Sequence, residues 1–195
     1  MTAAAPTPLA HLRVVEFTHM VMGPTCGMVL ADLGADVVKV EPAPEGDSTR
    51  RLTGSGTGFY AAFQRNRRSL CIDMKRPEGL ALVQRLLAGA DVMIENFRPG
   101  AMAKLGLGPD ALRVENPRLI TCSWMMGGLA YMTGPVGKPQ RAGSSVIDIM
   151  GGMAAAIGIL AAVADRERTG LGRHVEAGLF ETVALLMAQH MAQAA

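Results

Sequence analysis

Asp148 stands between Val146-Ile147 and Ile149-Met150, at the start of a long apolar run. Periodicity puts it at the opening of a helix. There an anion is stabilised by unpaired N–H groups and by the helix dipole. Such a carboxylate either caps the helix or faces a ligand as a nucleophile or base. Spacing alone favours the cap. Ser144, Ser145, Gly151 and Gly152 on either side would let a ligand come close to backbone, which keeps the second reading open.

Other reactive side chains carry less. His11, His19, His174 and His190 form no pair at metal-ligand spacing, so no metal site is expected. No Gly-x-Ser-x-Gly elbow occurs. Cys26, Cys71 and Cys122 are odd in number, widely spaced and set among apolar neighbours. They predict three small buried hydrophobes in a reducing, cytoplasmic compartment rather than a disulfide framework. Gly54-Ser55-Gly56-Thr57-Gly58 lacks the spacing of a dinucleotide fingerprint and does not join a strand to a helix. It reads as a flexible flap within the long 42–64 connection.

The elements that would position Asp148 alternate. Arg13 to Phe17 is a β-prone run, followed by a helix with Pro24 in its first turn and Cys26, Val29, Leu30 and Leu33 on one stripe. Gly34 ends it, and Asp36 to Val40 starts a second strand. Further strands are expected at Leu70–Ile72, Val92–Ile94 and Leu119–Cys122, with helices opening at Pro77 and around Ala111. A long helix from about Asp148 to Asp165, a short strand near His174-Val175 and a last helix from Leu179 complete the chain. Strand, helix, strand in this order implies an α/β fold, a parallel sheet flanked by helices. Ligands bind such sheets beyond the carboxyl ends of the strands. Met20 to Gly23, Glu41-Pro42, Asp73 to Lys75 and Glu95 to Arg98 occupy those ends.

Composition narrows the class. The 195 residues are 49% hydrophobic and 18% charged, enough for a packed core. Aromatics are 4% and the net charge is +2 with dispersed basic residues, so no nucleic-acid partner is expected. Met1 to Pro8 has no basic start or apolar signal core. The run Ile149–Ala164 is shorter than the roughly 20 residues of a membrane span, so no membrane partner is expected.

Several blocks, in order, resemble the class III CoA-transferases, the group of formyl-CoA transferase, carnitine CoA-transferase and the α-methylacyl-CoA racemases. They are Val15 to His19, Gly23-Pro24 through Glu41, Gly46 to Arg50, Asn66 to Ser69, Asp73 to Gly79, Asp91 to Gly100, Arg141 to Gly152 and Thr169 to Arg173. The resemblance implies a Rossmann-like large domain of a CoA-transferase, without its small domain. It implies Asp148 as the nucleophile that attacks an acyl-CoA carbonyl, and a small carboxylic acid as the acceptor of CoA. Coenzyme A or acyl-CoA is then substrate, and no permanently bound cofactor is implied. Met20, Val21, Ile72, Lys75, Asn96, Phe97 and Lys104 fall where the family contacts CoA. Taken alone, Lys75, Arg98 and Lys104 read as solvated charges and Phe97 as core.

Two departures stand out. Trp124 runs directly into Met125-Met126-Gly127-Gly128, where the family carries a further glycine-rich stretch. Residues 123–147 therefore look like a shortened loop region. That stretch supplies the racemases' acid–base histidine, which weakens a racemase reading. The chain is also about half a usual family length, which leads to the expectation of a truncated relative with impaired activity or a non-catalytic CoA-binding module. The family's homodimer is interlocked, an arrangement this length does not support. The last helix, with Leu185, Leu186, Met187 and Met191, is expected to expose an apolar face.

Overall fold

The computed structural model describes residues 7–125 and 144–194. Its elements are β1 (Arg13–Phe17), α1 (Met22–Asp32), β2 (Asp36–Pro42), α2 (Phe59–Phe63), β3 (Arg68–Ile72), α3 (Pro77–Ala88), β4 (Val92–Glu95), α4 (Pro109–Glu115), β5 (Ile120–Met125), α5 (Val146–Thr169), β6 (His174–Gly178) and α6 (Leu179–Ala194). Six strands form one sheet in the order β3-β2-β1-β4-β5-β6, and every neighbouring pair is parallel. This is the doubly wound order of Rossmann folds, whose direction of winding reverses between β1 and β4. The expected α/β parallel sheet is present.

Strand alternation sorts the core into two layers. Val14, Val37, Val92, Ile94, Ile120 and Cys122 face α1 and α5. Val15, Phe17, Val40 and Met93 face the opposite way, toward Val83 and Leu87 of α3 and Leu112 of α4. A period of two in β-branched strands covered on both faces produces this division. Pro77 and Pro109 open α3 and α4, where the missing N–H matters least. Gly34, at φ +101°, turns the chain from α1 into β2, a conformation a side chain would strain.

Three expectations change. The 42–64 connection carries 3₁₀ turns at Ser48–Arg51 and Gly54–Gly56 and then α2. The segment before the expected 54–58 flap is tied down: Asp47 and Thr49 are buried, Asp47 pairing with Lys39 of β2 and the Thr49 hydroxyl accepting the Met20 N–H. Cys71 is exposed, since β3 is an edge strand with one uncovered face, whereas Cys26 and Cys122 are buried. The apolar helix α5 is 24 residues long, because polar residues continue it to Thr169. By length and composition alone α5 could cross a membrane. Here Ala155, Ala156, Ile159, Ala162 and Val163 form a stripe packed into the core, and buried Arg166 pairs with Asp91 at 3.1 Å. α6 leaves Phe180 and Leu185 largely exposed. The side chains of Met187 and Met191 lie outside the described residues, as do most of the 123–147 region and the block Arg141 to Gly143.

Candidate functional site

The crevice between the carboxyl ends of β1 and β4 is built from both strands' following residues. Asn96, just past β4, accepts the His19 N–H at 3.0 Å and donates to the His19 carbonyl at 2.9 Å. A side-chain amide presents one acceptor and two donors, so one asparagine satisfies both backbone groups of the opposing residue. Phe97 stacks on the His19 ring, centroids 5.8 Å apart, and its other side meets the α3–α4 core layer. Glu95 closes the turn by accepting the Phe97 N–H at 2.8 Å. Burial raises the Glu95 pKa, and that N–H offsets part of the rise.

The β1–α1 loop is held from several directions. Met20 takes φ +64°, in the left-handed region, and its N–H donates to the Thr49 hydroxyl at 2.9 Å. Val21 is the residue before α1, and its carbonyl accepts both the N–H and the hydroxyl of Thr25 at 2.8 Å. Below the loop, the buried Lys39 ammonium donates to the Thr18 carbonyl at 2.5 Å and pairs with Asp47 at 2.9 Å. Burial pushes the Asp47 carboxyl up, but Lys39 and the Thr49 N–H outweigh it and the pKa is lowered. Beside it, Glu41 accepts bonds from Arg50, Ser69 and the Asp47 N–H. These outweigh burial and bring its pKa down to about 2. Arg50 also lies over the Tyr60 ring, 4.0 Å from its centroid.

Asp148 is half-buried at the third position of α5, whose preceding residue is Ser145 rather than Asp148. The capping position is Ser145, three residues before Asp148, and Asp148 is the acidic residue of the first turn. One turn further on, Gly152 presses α5 against α1. A Cβ there would lie 2.5 Å from the Met22 carbonyl oxygen and 2.7 Å from the Thr25 Cβ, and a Cβ at Gly151 would lie 2.6 Å from the Met22 methyl. Residues four apart share a helix face, so Asp148 stands one turn above this contact. The glycines act as spacers that let α5 approach the start of α1 closely.

A separate cleft of about 650 Å³ lies over β4, β5 and β6, walled by Met150, Ala154 and Gly158 of α5 and Thr182 and Leu185 of α6. Glu95, Ser123, His174 and Glu176 line it, and Asp148 does not. The His174 Nδ1 lies 2.8 Å from the Thr121 hydroxyl. Among the described residues no group of three His, Cys, Asp or Glu could hold a metal ion.

Of the residues singled out from sequence, Met20, Val21, Asn96 and Phe97 converge at the crevice. Ile72 ends β3 and is buried in the core, and Lys75 is exposed in the turn after it. Both sit three strands from β4, about 14 Å along the sheet edge at ordinary strand spacing. Lys104 is exposed on the 3₁₀ turn Ala103–Leu105, also beyond β4. The spread follows the carboxyl-end edge of the sheet from β3 to β4. Lys39, Asp47 and Thr49 went unremarked as site residues, and Glu95 was marked only as part of a strand end. The available signal was Lys39 itself, a lone cation amid the apolar strand Asp36–Pro42.

Residues 9–125 and 121–195 match the family described as CoA-transferase family III. The succinate–glutarate CoA-transferase of Agrobacterium fabrum is 38% identical over 212 residues, covering 93% of this chain and 53% of that protein. The succinyl-CoA–D-citramalate CoA-transferase of Chloroflexus aurantiacus is 38% identical over 208 residues, covering 93% and 52%. Among solved structures, a CAIB/BAIF family protein from Brucella suis superposes with TM-score 0.87 at 36% identity, covering 97% of this chain and 57% of that one. Rv3272 from Mycobacterium tuberculosis gives 0.87 at 34%, covering 96% and 58%. The chain spans about half the length of the curated relatives it matches. With the sheet order, the crevice and the sequence match in agreement, the chain belongs to CoA-transferase family III.

Proposed function

We propose that this chain carries the CoA-handling half of a CoA-transferase, and that Asp148 is its nucleophile. The observation that supports the reading is the packing of α5. Asp148 is half-buried in its first turn, one turn before Gly151 and Gly152, which meet Met22 and Thr25 at the start of α1. An Asp148 oxygen attacks the thioester carbonyl, the C–S bond breaks, and CoA leaves as thiolate. The thiolate then attacks the aspartyl carbonyl of the resulting anhydride, releasing the donor acid and leaving an aspartyl–CoA thioester. The acceptor carboxylate reverses these two steps, so the new acyl-CoA departs and the Asp148 carboxylate is regenerated. Splitting one exchange into such steps is covalent catalysis, and a weakly basic carboxylate needs positioning for it.

Coenzyme A is substrate in this reading, with no resident cofactor. Its chain runs along the sheet edge past Met20, Val21, Asn96 and Phe97, with Ile72 and Lys75 toward the β3 end and Lys104 toward the β4 side. Residues 1–195 correspond to the N-terminal part of the large domain, and 123–147 to a shortened connection. The two-segment family match supports that division. A cytoplasmic setting suits three free thiols. The exposed Phe180 and Leu185 of α6 support association, with a second copy or with the remainder of a family-length protein.

The cleft of about 650 Å³ that Asp148 does not line favours a second reading, a CoA-binding module without turnover. One experiment separates the two. The protein is incubated with succinyl-CoA, quenched with hydroxylamine and analysed by mass spectrometry. Transfer chemistry puts a hydroxamate on Asp148 that is missing in Asp148→Ala. CoA binding by calorimetry without any adduct would assign the module reading instead.

A further inference from the structure

The β1–α1 loop owes its shape to a relay of buried polar groups that starts two elements away. Lys39 lies inside β2 with its side chain fully buried, and its ammonium reaches both the Thr18 carbonyl and the Asp47 carboxylate. Asp47 in turn accepts the Thr49 N–H at 2.8 Å, fixing the 3₁₀ turn that follows. Thr49, 1% exposed, points its hydroxyl at the Met20 N–H. Met20 is at φ +64° and 40% exposed, so its side chain is not what holds it there. A non-glycine residue keeps a left-handed backbone only where its surroundings over-determine it. The buried charge pair is likewise a poor way to gain stability but a good way to fix one geometry.

We propose that Thr49, seated by the Lys39–Asp47 pair, is a positioning residue that sets the Met20 peptide for contact with the CoA chain. The inference rests on the proposed CoA reading. It adds that ligand affinity is controlled from the 42–51 segment, which touches the ligand only through the loop. Thr49 does not take part in bond making. It removes the conformational freedom the loop would otherwise lose on binding.

The test uses calorimetric CoA titration and amide hydrogen exchange on the full chain. Thr49→Val keeps the shape and removes the acceptor, and Thr49→Ser restores it. Water can reach half-exposed Met20, so the fold is expected to survive with an unchanged thermal transition. T49V is expected to bind CoA about tenfold more weakly, the size of one hydrogen bond, and to exchange the Met20 amide faster. T49S is expected to stay within about twofold of the parent in both measurements. Parent-like CoA affinity in T49V, with faster Met20 exchange, would overturn the inference and leave the CoA reading standing. A parent protein that does not bind CoA would overturn the CoA reading first. Should T49V unfold, Asp47→Asn supplies the second measurement. It keeps the Thr49 hydroxyl but loosens its turn, and an unchanged CoA affinity there would equally overturn the proposal.

Discussion

Gly152 of α5 and Met22 of α1 are in backbone contact, so close that a Cβ on the glycine would stand 2.5 Å from the Met22 carbonyl oxygen. The obstacle is backbone rather than the end of a flexible side chain, and α5 must shift to admit even a methyl group. Gly152→Ala is therefore expected to lower stability by about 1–3 kcal/mol, an overpacking loss. Urea unfolding followed by circular dichroism reads it. The same shift displaces Asp148, one turn away on α5, so under the proposed role trapped adduct should fall further than stability does.

Asp148→Asn is expected to abolish the hydroxylamine-trapped adduct while changing stability by no more than about 1 kcal/mol, the scale of a carboxylate in a helix first turn. A large stability loss with adduct retained would assign Asp148 a purely structural role. Thermal melts and intact-protein mass spectrometry on one sample decide between them.

Glu16 is fully buried and pairs with Arg67, whose guanidinium also donates to the Pro24 and Phe63 carbonyls at 2.8 Å. Burial raises the Glu16 pKa, with Arg67 and Lys39 opposing the rise. Arg67→Met leaves that carboxylate without its main counter-charge and is expected to cost about 3–5 kcal/mol. The double variant with Glu16→Met should recover much of the loss. A double-mutant cycle by chemical denaturation checks this, and a loss as large in the double variant as in the single one would refute it.

Acid sensitivity should trace in part to Glu41, whose folded pKa is near 2 against an ordinary value of 4.5. A depressed carboxylate pKa contributes stability that is complete above about pH 4.5 and is lost as pH falls toward 2. The contribution is about 3 kcal/mol or less, given 1.36 kcal/mol per unit and a half-exposed Arg50 partner. Glu41→Gln should lower stability at pH 7 and flatten its decline between pH 5 and 2. Denaturant midpoints measured across that range test the slope.

Much of the architecture was legible in the residues because its signals are local. The β-branched runs at Arg13–Phe17 and Val92–Glu95, the prolines at 77 and 109 and the turn at Gly34 each act within a few residues. Their alternation then leaves few topologies. The strand-end segments that hold Met20, Val21, Asn96 and Phe97 followed from the same logic. The fate of 42–51 did not, because a Gly- and Pro-rich composition describes a loop's freedom and not the partners that remove it. Nor did Cys71, whose apolar neighbours say nothing about which strand lies at the edge of the sheet.

The sequence by itself determined the element order and set a carboxylate near the start of α5, both carried by spacing along the chain, while the family lay in blocks of residues that resemble its members. Only the tertiary structure decided what surrounds that carboxylate. Gly152 meets Met22 across 130 positions of sequence, Asn96 clasps His19 across 77, and Lys39 holds Thr18 across 21. These contacts exist because β1, β2 and β4 end side by side, and no local preference encodes a pairing between groups that meet only when the sheet has closed.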